Sequence, residues 1–379
     1  MKVCVIGLRG IPNVMGGVET HCEELYPRIA KLRPNDTIVI IARRAYVPET
    51  ATEYKGLRIL PLPHIKGRHL EAVTSTLYGL LYSRFALNSD LLHIHGIGPA
   101  LFAPLARALH MKVIVTYHSK NYTHTKWSRF ERVILRIGEL CALLFADRVI
   151  AISDWLATDL KQRFSHQAPR ISFIPNGANH ISTPGDVSSK ADVLRHYKLV
   201  SGEYIIAVGR LVPEKGFHLL LDAFTATNVG YKLVIVGDAD HKDQYYSTLL
   251  SRADENILFV GFVQRERLRV LLEDAALFVL PSFHEGLPIA ALEAITAGTP
   301  VVLSDITPNL DLRLPSRNYF RCGDVRELQV KLATEYTSFH VDADPIIRRY
   351  DWESIAAETA KIYMSLEGLG KTVEQALRA

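Results

Sequence analysis

Two glutamates, Glu285 and Glu293, lie eight residues apart in the stretch PSFHEGLPIAALEAITAGTPVV at 281–302. An apolar run precedes the stretch and a periodic apolar segment follows its polar turn, so the pattern predicts strand, loop, helix and strand. Gly286 and Leu287 are expected to begin the helix, whose unpaired N–H groups attract an anion such as phosphate. At about 3.6 residues per turn, the two acids are two turns apart. One can therefore face the reacting end of a ligand and the other its distal part.

Two glutamates at this spacing are also typical of surface charges on an ordinary α/β crossover. Together with Gly286, Leu287 and Pro288, however, Glu285 and Glu293 resemble the signature of the retaining glycosyltransferases of family 4. The resemblance implies a GT-B fold, in which two doubly wound, Rossmann-like α/β domains face each other across a cleft. It also implies that Glu285 bonds hydroxyls of the donor sugar and that Glu293 bonds the ribose hydroxyls.

Two basic residues five positions apart flank another predicted strand-to-helix turn, in the segment that begins at Tyr204. Arg210 offers a fork of donors and Lys215 a point charge, so both can reach one phosphate. In isolation they would be solvated charges, whereas in this setting they match the diphosphate clamp of the family. The resemblance further implies that Val263, which follows a predicted strand, presents backbone groups to the nucleobase.

A glycine-bearing loop follows the first predicted strand, 2–8, where open α/β sheets bind ligands. Its glycines lack the Gly-x-Gly-x-x-Gly spacing of a dinucleotide site. Its Gly-x-Arg-Gly-Ile-Pro and Gly-Gly-x-Glu-Thr motifs resemble a bacterial exopolysaccharide subgroup of the family, in which the loop closes over the donor diphosphate. The resemblance implies that Gly16 and Gly17 contact phosphate, and a helix is predicted from about Val18.

Histidines end two of the predicted strands. His118 closes the strand 112–118, where a histidine is typical of a polar cap, but the resemblance implies that it faces the donor sugar. His93 and His95 share one face of the strand 91–95, which invites a metal site, yet the sequence shows no third ligand. A lining or structural role is therefore expected for both, and no metal site is predicted.

An Asp-x-Asp triplet at Asp238 and Asp240 is typical of metal-dependent, single-domain glycosyltransferases. Here it follows a strand of the second domain, where the family has a Gly-Asp or Gly-Glu loop, so metal dependence is not expected. The resemblance implies front-face transfer, in which the leaving phosphate accepts the proton of the acceptor. Arg210, Lys215 and oriented N–H groups would stabilise that phosphate. The loop 306–309 replaces a frequent Gly-Gly of the family, which leaves its contacts open.

Alternating strand and helix patterns predict two parallel, doubly wound sheets, and 379 residues suffice for two domains. We expect an acceptor-binding domain over 1–183, a nucleotide-sugar-binding domain over 184–350, and a C-terminal helix over 351–379 that crosses back to the first domain. The polar stretch 179–190 is interpreted as the linker.

Charge is distributed unevenly. Residues 1–180 contain 23 Lys+Arg and 13 Asp+Glu, a balance of +10, whereas the remainder contains 21 and 27, a balance of −6. Two predicted helices of the basic half, 68–87 and 126–145, interleave basic with apolar side chains, as a helix lying in a lipid headgroup region does. The alternative is that these stripes pack on the sheet. No nucleic-acid recognition motif accompanies the charge.

The expected activity is that of a retaining, metal-independent hexosyltransferase. It would move a sugar from a UDP- or GDP-sugar, with no other cofactor, to a glycan or polyprenyl-linked acceptor in bacterial surface polysaccharide synthesis. A nucleotide-sugar 2-epimerase of the same architecture and a nonspecific polyanion binder are the alternatives. Four scattered cysteines and the lack of a signal or spanning segment indicate the cytoplasm, with contact to an anionic membrane if the basic helices bind lipid.

Overall fold

The computed structural model describes residues 1–65, 67, 70–123, 127–178, 189–239 and 242–378, with side chains described up to residue 367. The chain divides into two compact units, one formed by 1–176 with 352–379 and the other by 177–351. Each unit is built on a mainly parallel sheet flanked by helices, which confirms the predicted fold class. Most of the predicted linker lies outside the described residues.

Within the described residues, the first unit has eight strands: β1 (Lys2–Ile6), β2 (Thr37–Arg43), β3 (Glu53–Tyr54), β4 (Leu57–Leu62), β5 (Leu91–His95), β6 (Lys112–Tyr117), β7 (Arg148–Ala151) and β8 (Ile171–Phe173). Its helices are α1 (Gly17–Leu32), α2 (Leu70–Phe85), α3 (Ala103–Ala108), α4 (Arg129–Phe145), α5 (Asp154–Arg163) and α14 (Trp352–Arg378). The strand order is β3-β4-β2-β1-β5-β6-β7-β8, and only the β3–β4 pair is antiparallel.

The central strand β1 has a buried core on each face of its sheet. Because successive side chains of a strand point to opposite faces, Val3 and Val5 enter one core and Cys4 and Ile6 the other. Both cores are covered, so the strand is a continuous apolar run with no polar alternation. Helices α1 and α14 pack on the face of Val3 and Val5, where Trp352 is fully buried.

The second unit has six described strands: β9 (Tyr204–Val208), β10 (Lys232–Val236), β11 (Ile257–Gly261), β12 (Leu277–Leu280), β13 (Val301–Ser304) and β14 (Tyr319–Phe320). Its helices are α6 (Lys190–His196), α7 (Phe217–Thr227), α8 (Gln244–Leu250), α9 (Arg265–Glu273), α10 (Ile289–Thr296), α11 (Thr307–Leu310), α12 (Val325–Leu332) and α13 (Ala343–Arg349). All strands are parallel, in the order β11-β10-β9-β12-β13-β14.

The strand order reverses once in each unit, between β1 and β5 in the first and between β9 and β12 in the second. At such a point the flanking connections leave in opposite directions, and the crevice outside the carboxyl ends of the strands is where open α/β sheets bind ligands. A ligand site is therefore expected at the loops after β1, β5, β9 and β12.

The expected start of helix α10 is wrong. The helix begins at Ile289, whereas Gly286 and Leu287 lie in the preceding bend. The reason is Pro288, because a residue that precedes proline is disfavoured in helical conformation. Strands β3 and β14 were not predicted, since two residues are too short to show an alternating pattern.

Helix α4 approaches the loop after β5 so closely that only a glycine fits at Gly138. A Cβ there would lie 2.1 Å from the carbonyl oxygen of Ile97. We predict that Gly138→Ala lowers the free energy of unfolding by about 1–3 kcal/mol, the usual cost of overpacking. Gly98→Ala is the matched control, because its Cβ would meet Leu135 at an ordinary 3.6 Å. Equal thermal unfolding midpoints for the two variants would contradict the prediction.

Candidate functional site

The loops after β9 and β12 contact each other where the strand order of the second unit reverses. The backbone N–H of Phe283 donates to the carbonyl of Glu214 at 2.8 Å. Gly216 has a φ of +67°, and a Cβ there would lie 2.1 Å from the carbonyl oxygen of Pro281. Glycine is needed at this position both for its backbone conformation and for the close approach of the loops.

Lys215 and Glu285 form an ion pair across these two loops. Lys215 Nζ lies 2.6 Å from Glu285 Oε1, and the two side chains are 19% and 9% exposed. The sequence assigned the lysine to a phosphate and the glutamate to a sugar, and the structure shows that they also contact each other. A pair so little exposed interacts more strongly than a surface pair, because less water screens it.

A chain of hydrogen bonds from buried side chains fixes the position of Glu285. Ser282 Oγ donates to Glu285 Oε1 at 2.6 Å, and Ser304 Oγ donates to the carbonyl of Ser282 at 2.6 Å. Asn309 Nδ2 donates to Ser304 Oγ at 3.1 Å and to the Ser304 carbonyl at 2.9 Å. The segment 306–309, predicted as a loop whose contacts were left open, lies mostly in helix α11 and supports the turn that carries Glu285.

Ser282 is a site residue that the sequence analysis missed. It is fully buried, and it directly bonds a predicted catalytic carboxylate. The available signal was its position inside the predicted turn, three residues before Glu285. A serine hydroxyl in a turn is usually interpreted as a local cap, which hides this role.

The other predicted site residues of the second unit lie on nearby elements of the same unit. Arg210 follows β9 and is half-buried, and Val263 follows β11 and is buried. Glu293 is buried on helix α10, whereas Glu285 lies in the turn before that helix, so the two acids do not sit two turns apart on one helix as expected. Leu287 is buried in the same turn.

The glycine loop of the first unit follows β1. Glu19 of α1 accepts a hydrogen bond from the backbone N–H of Arg9 at 3.0 Å and pairs with its guanidinium at 3.1 Å. A Cβ on Gly16, whose φ is +146°, would lie 2.2 Å from Glu19 Oε2. Gly16 therefore makes room for this ion pair, and Gly17 begins helix α1 close to the predicted start.

Four histidines come together beside this loop. His21 belongs to α1, His93 and His95 to β5, and His118 is the first residue after β6. His118 Nε2 lies 2.9 Å from His95 Nδ1, and His95 Nε2 lies 2.6 Å from the Tyr26 hydroxyl. The same hydroxyl lies 2.9 Å from His93 Nδ1. One line of hydrogen bonds thus connects His118 to the centre of the unit.

Three further side chains complete the network. His93 Nε2 bonds Thr116 Oγ1 at 2.8 Å and His93 Nδ1 bonds the Tyr363 hydroxyl at 2.7 Å. His21 Nδ1 bonds Asn176 Oδ1 at 2.7 Å. The sequence analysis missed His21, Tyr26, Asn176 and Tyr363 because they come from separate helices and from the end of β8. The available signal was that His21 precedes Cys22, which with Val18, Leu25 and Ile29 recurs at helical spacing and predicts the face of the helix that packs on the sheet.

Burial controls the protonation of these histidines. Burial lowers the pKa of His21 to about 4, although the bond to Asn176 opposes the shift, and it lowers the pKa of His93 to about 3. Burial, reinforced by repulsion from neighbouring imidazoles, holds the pKa values of His95 and His118 well below their usual range. All four imidazoles are therefore neutral at pH 7.

Family models match both units. The model of glycosyl transferases group 1 matches residues 196–313, and the model of glycosyltransferase family 4 matches residues 15–180. The chain is 24% identical to an uncharacterised glycosyltransferase of Methanocaldococcus jannaschii, an alignment that covers 98% of this chain and 100% of the relative. It is 25% identical to the GDP-mannose:cellobiosyl-diphosphopolyprenol alpha-mannosyltransferase of Komagataeibacter xylinus, with 76% and 74% of the two chains covered.

A solved structure has the same fold. Anabaena HepE in complex with UDP-glucose superposes with a TM-score of 0.75 at 20% identity, covering 96% of this chain and 100% of that one. Within the part of the chain described, no helix combines the length and apolarity needed to cross a bilayer.

We predict that mild acid destabilises the first unit. An unfolded histidine gains its proton near pH 6.5, whereas burial holds the pKa of His93 near 3, so the unfolded state binds more protons between these limits. The stabilisation is complete above pH 6.5 and falls with pH, by about 1.4 kcal/mol per buried histidine for each pH unit. Thermal unfolding in EDTA from pH 7 to pH 5 measures it.

Two variants isolate the contribution of one histidine. His93→Gln should give a shallower dependence of the midpoint on pH, and replacement of the exposed His166 by Gln should retain the wild-type dependence. A midpoint that stays constant between pH 7 and pH 5 would show that the buried imidazoles are not the titrating groups.

Proposed function

This chain is a group 1 glycosyltransferase of the family 4 type, and we propose that it moves a sugar from a UDP- or GDP-sugar to a lipid-linked glycan acceptor with retention of configuration. The observation that carries the proposal is the ion pair of Lys215 and Glu285 at the strand-order reversal of the second unit. The role in bacterial surface polysaccharide synthesis is part of the same proposal.

The leaving group of such a reaction is a nucleoside diphosphate, on which negative charge develops in the transition state. Oriented cations and N–H groups stabilise that charge without having to reorganise. Arg210 and Lys215 lie on the loop after β9, and the turn at Gly286 leads into the start of helix α10. We assign the diphosphate to these groups.

Glu285 prepares Lys215 for this task. The carboxylate is anchored by Ser282 and fixes the ammonium at 2.6 Å, so the lysine is ordered before a ligand arrives. When a diphosphate binds the ammonium of Lys215 in place of Glu285, the carboxylate can accept hydrogen bonds from the hydroxyls of the sugar. Preorganisation of this kind reduces the entropy that the transition state would otherwise cost.

The donor nucleoside is assigned to the same unit. We assign the ribose to Glu293 and the base to the backbone at Val263, whose side chains are both buried. HepE binds UDP-glucose and the Komagataeibacter relative takes its name from GDP-mannose, so both nucleotides are compatible with the proposal. The contact of His118 with the donor sugar belongs to the same assignment.

The lipid-linked acceptor is supported by helix α4. Five large apolar side chains at helical spacing are exposed on it: Phe130 73%, Val133 51%, Ile137 45%, Leu140 42% and Leu144 53%. Exposed Arg129 and Arg136 flank this stripe. A basic amphipathic face of this kind suits the headgroup region of an anionic membrane.

The sequence predicts a stripe of Trp127, Phe130, Ile134 and Leu135 on this helix, interleaved with Lys126, Arg129, Arg132 and Arg136. The observed stripe differs from it in detail. Leu135 is buried and Ile134 is half-buried, so these two pack on the sheet, whereas Phe130 is exposed as a membrane contact requires. Lys126 lies outside the described residues. Helix α2 also exposes Leu70, Val73 and Phe85, but the one basic residue within it is the half-buried Arg84, which leaves α4 as the better supported of the two predicted helices.

We predict that Lys215→Ala and Glu285→Ala each abolish transfer while the chain remains folded. Loss of one stabilising donor at the leaving group should cost roughly 2.7 to 4 kcal/mol, or about 10²–10³ in rate. Arg252→Ala, which breaks an exposed ion pair with Asp222 in the same unit, is the control and should retain the wild-type rate. Nucleotide release and near-UV circular dichroism are the measurements, and folded variants with wild-type turnover would refute the assignment.

Transfer should persist in EDTA, and the product should keep the anomeric configuration of the donor. Both expectations follow from a cationic clamp that does for the diphosphate what a metal ion does in other enzymes. Proton NMR of the first product decides the configuration. An inverted anomer, or a rate that needs added Mg²⁺ or Mn²⁺, would contradict the prediction, and free nucleotide-sugar epimers formed without acceptor would favour the 2-epimerase.

Wild-type protein should float with liposomes that contain anionic lipid, and the change of Arg129, Arg132 and Arg136 to Glu should abolish flotation. Each basic residue near such a surface contributes about 1 kcal/mol. The matched control changes Arg44, Lys55 and Arg58 to Glu, which alters the charge of the same unit equally at exposed positions away from α4. Negligible flotation of the wild type, or equal loss in both triple variants, would remove the membrane from the proposal.

A further inference from the structure

Three of the four clustered histidines have the spacing of ligands around one ion. A ring nitrogen of each of His21, His95 and His118 lies within 4.8 Å of the others. Their ring centroids are 5.0 Å apart for His21 and His118, 5.2 Å for His95 and His118, and 5.4 Å for His21 and His95. Three imidazoles bound tetrahedrally at about 2.0–2.1 Å would have centroids about 5.2 Å apart. We infer that these histidines bind one divalent transition-metal ion.

The lone pair of His21 Nε2 is the strongest independent evidence. Asn176 Oδ1 accepts a hydrogen bond from His21 Nδ1, so Nδ1 carries the proton and Nε2 is an acceptor. Nε2 is buried and has no hydrogen-bond partner among the described residues. An unsatisfied buried acceptor is costly to a fold. A metal ion bound at Nε2 satisfies it.

His95 is oriented in the same way. We assign the proton of His95 to Nε2, which then donates to the Tyr26 hydroxyl at 2.6 Å and leaves the lone pair of Nδ1 directed at His118 Nε2, 2.9 Å away. Without an ion, a proton on His118 Nε2 joins the two nitrogens. An ion displaces that proton, which moves to His118 Nδ1 so that the imidazole stays neutral, and widens the gap by about 0.5 Å to the roughly 3.4 Å that tetrahedral ligands require. Metal-bound histidines normally have such a partner on the second ring nitrogen.

The ligand set selects the class of ion. Three neutral imidazoles suit Zn²⁺, Co²⁺, Ni²⁺ or Cu²⁺, whereas Mg²⁺ and Ca²⁺ require oxygen ligands. Neutral imidazoles are also the form that binds metal, and burial keeps these three neutral. His118 is 8% exposed, more than His21 at 2% or His95 at 1%, so it is the ligand most accessible to an arriving ion.

The sequence analysis did not expect this site, because it considered a metal only at His93 and His95 and interpreted His118 as a contact of the donor sugar. His93 faces Thr116 and Tyr363 and is not a ligand. The other two ligands are His21, from α1, and His118, the first residue after β6. The sequence could not place them beside β5. The ion is not needed at the diphosphate, which belongs to the second unit.

The ion should inhibit transfer. This consequence depends on the proposed function, in which the imidazole of His118 contacts the donor sugar. A metal ion bound at Nε2 of His118 occupies that imidazole and adds positive charge beside the reacting carbon. Inhibition by the ion is compatible with activity in EDTA, which keeps the site empty of metal.

Metal binding is tested on the full-length protein after dialysis against EDTA. We expect one equivalent of Zn²⁺ by calorimetry and the intense visible bands of tetrahedral Co²⁺. Both should be lost in His21→Ala and in the more conservative His118→Asn, and kept in His166→Ala, which removes an exposed histidine of the same unit. If neither ligand variant folds, the Co²⁺ spectrum and stoichiometry of the wild type decide. Substoichiometric binding by the wild type, or full binding by a folded His21→Ala, would overturn the inference.

The inhibitory consequence has its own readout. One equivalent of Zn²⁺ should abolish transfer by wild type and by His166→Ala, and EDTA should restore it. Stoichiometric binding with undiminished transfer would overturn inhibition. A wild type that binds Zn²⁺ but transfers no sugar under any condition would instead count against the proposed function, since calorimetry does not depend on activity.

Discussion

The single reversal of strand order in each sheet is the constraint on which the rest of this structure depends. Parallel strands end at one edge, and their connections must cross to one face or the other. Where neighbouring strands send their connections to opposite faces, the loops separate and a crevice opens. In the second unit, Lys215 and Glu285 follow the two strands on either side of that point, and in the first unit the glycine loop and His95 do so.

The two crevices solve the problem of buried polar groups differently. The second unit keeps opposite charges in contact, which is justified only where the geometry is good, because removing two ions from water costs several kcal/mol. Ser282 and the buried Asn309 supply that geometry. The first unit keeps neutral imidazoles and hydroxyls, most of which are hydrogen-bonded to one another, while His21 Nε2 has no partner among the described residues. A charged phosphate suits the crevice of the second unit. A ligand that accepts the lone pairs of imidazole nitrogens suits the crevice of the first.

The sequence predicts much of this fold because buried parallel strands are unbroken apolar runs, and strand β5 was predicted to the residue. It also predicts the turns that carry Lys215 and Glu285, since each turn is defined by its own segment, but the ion pair between them appears only in the structure. It fails where contacts with neighbouring residues determine the local structure. Pro288 moves the start of helix α10 to Ile289, and the packing of α4 buries Leu135. The histidine cluster was out of reach, because His21, Tyr26 and Tyr363 have no signal until the sheet brings their helices together.

Because Tyr363 belongs to the first unit, that unit is completed only after the ribosome has made the whole second unit. The Tyr363 hydroxyl bonds His93, and the helix of Tyr363 covers the core of Val3 and Val5, yet the 175 residues of the second unit, 177–351, are made in between. At about 5–20 residues per second, a ribosome needs roughly 10–35 seconds to make them. During that interval the first 176 residues of the first unit wait with part of one apolar face uncovered, while the contiguous second unit can already fold. The nascent chain therefore has a period in which a chaperone has an apolar surface to bind, and that period ends only when α14 leaves the exit tunnel.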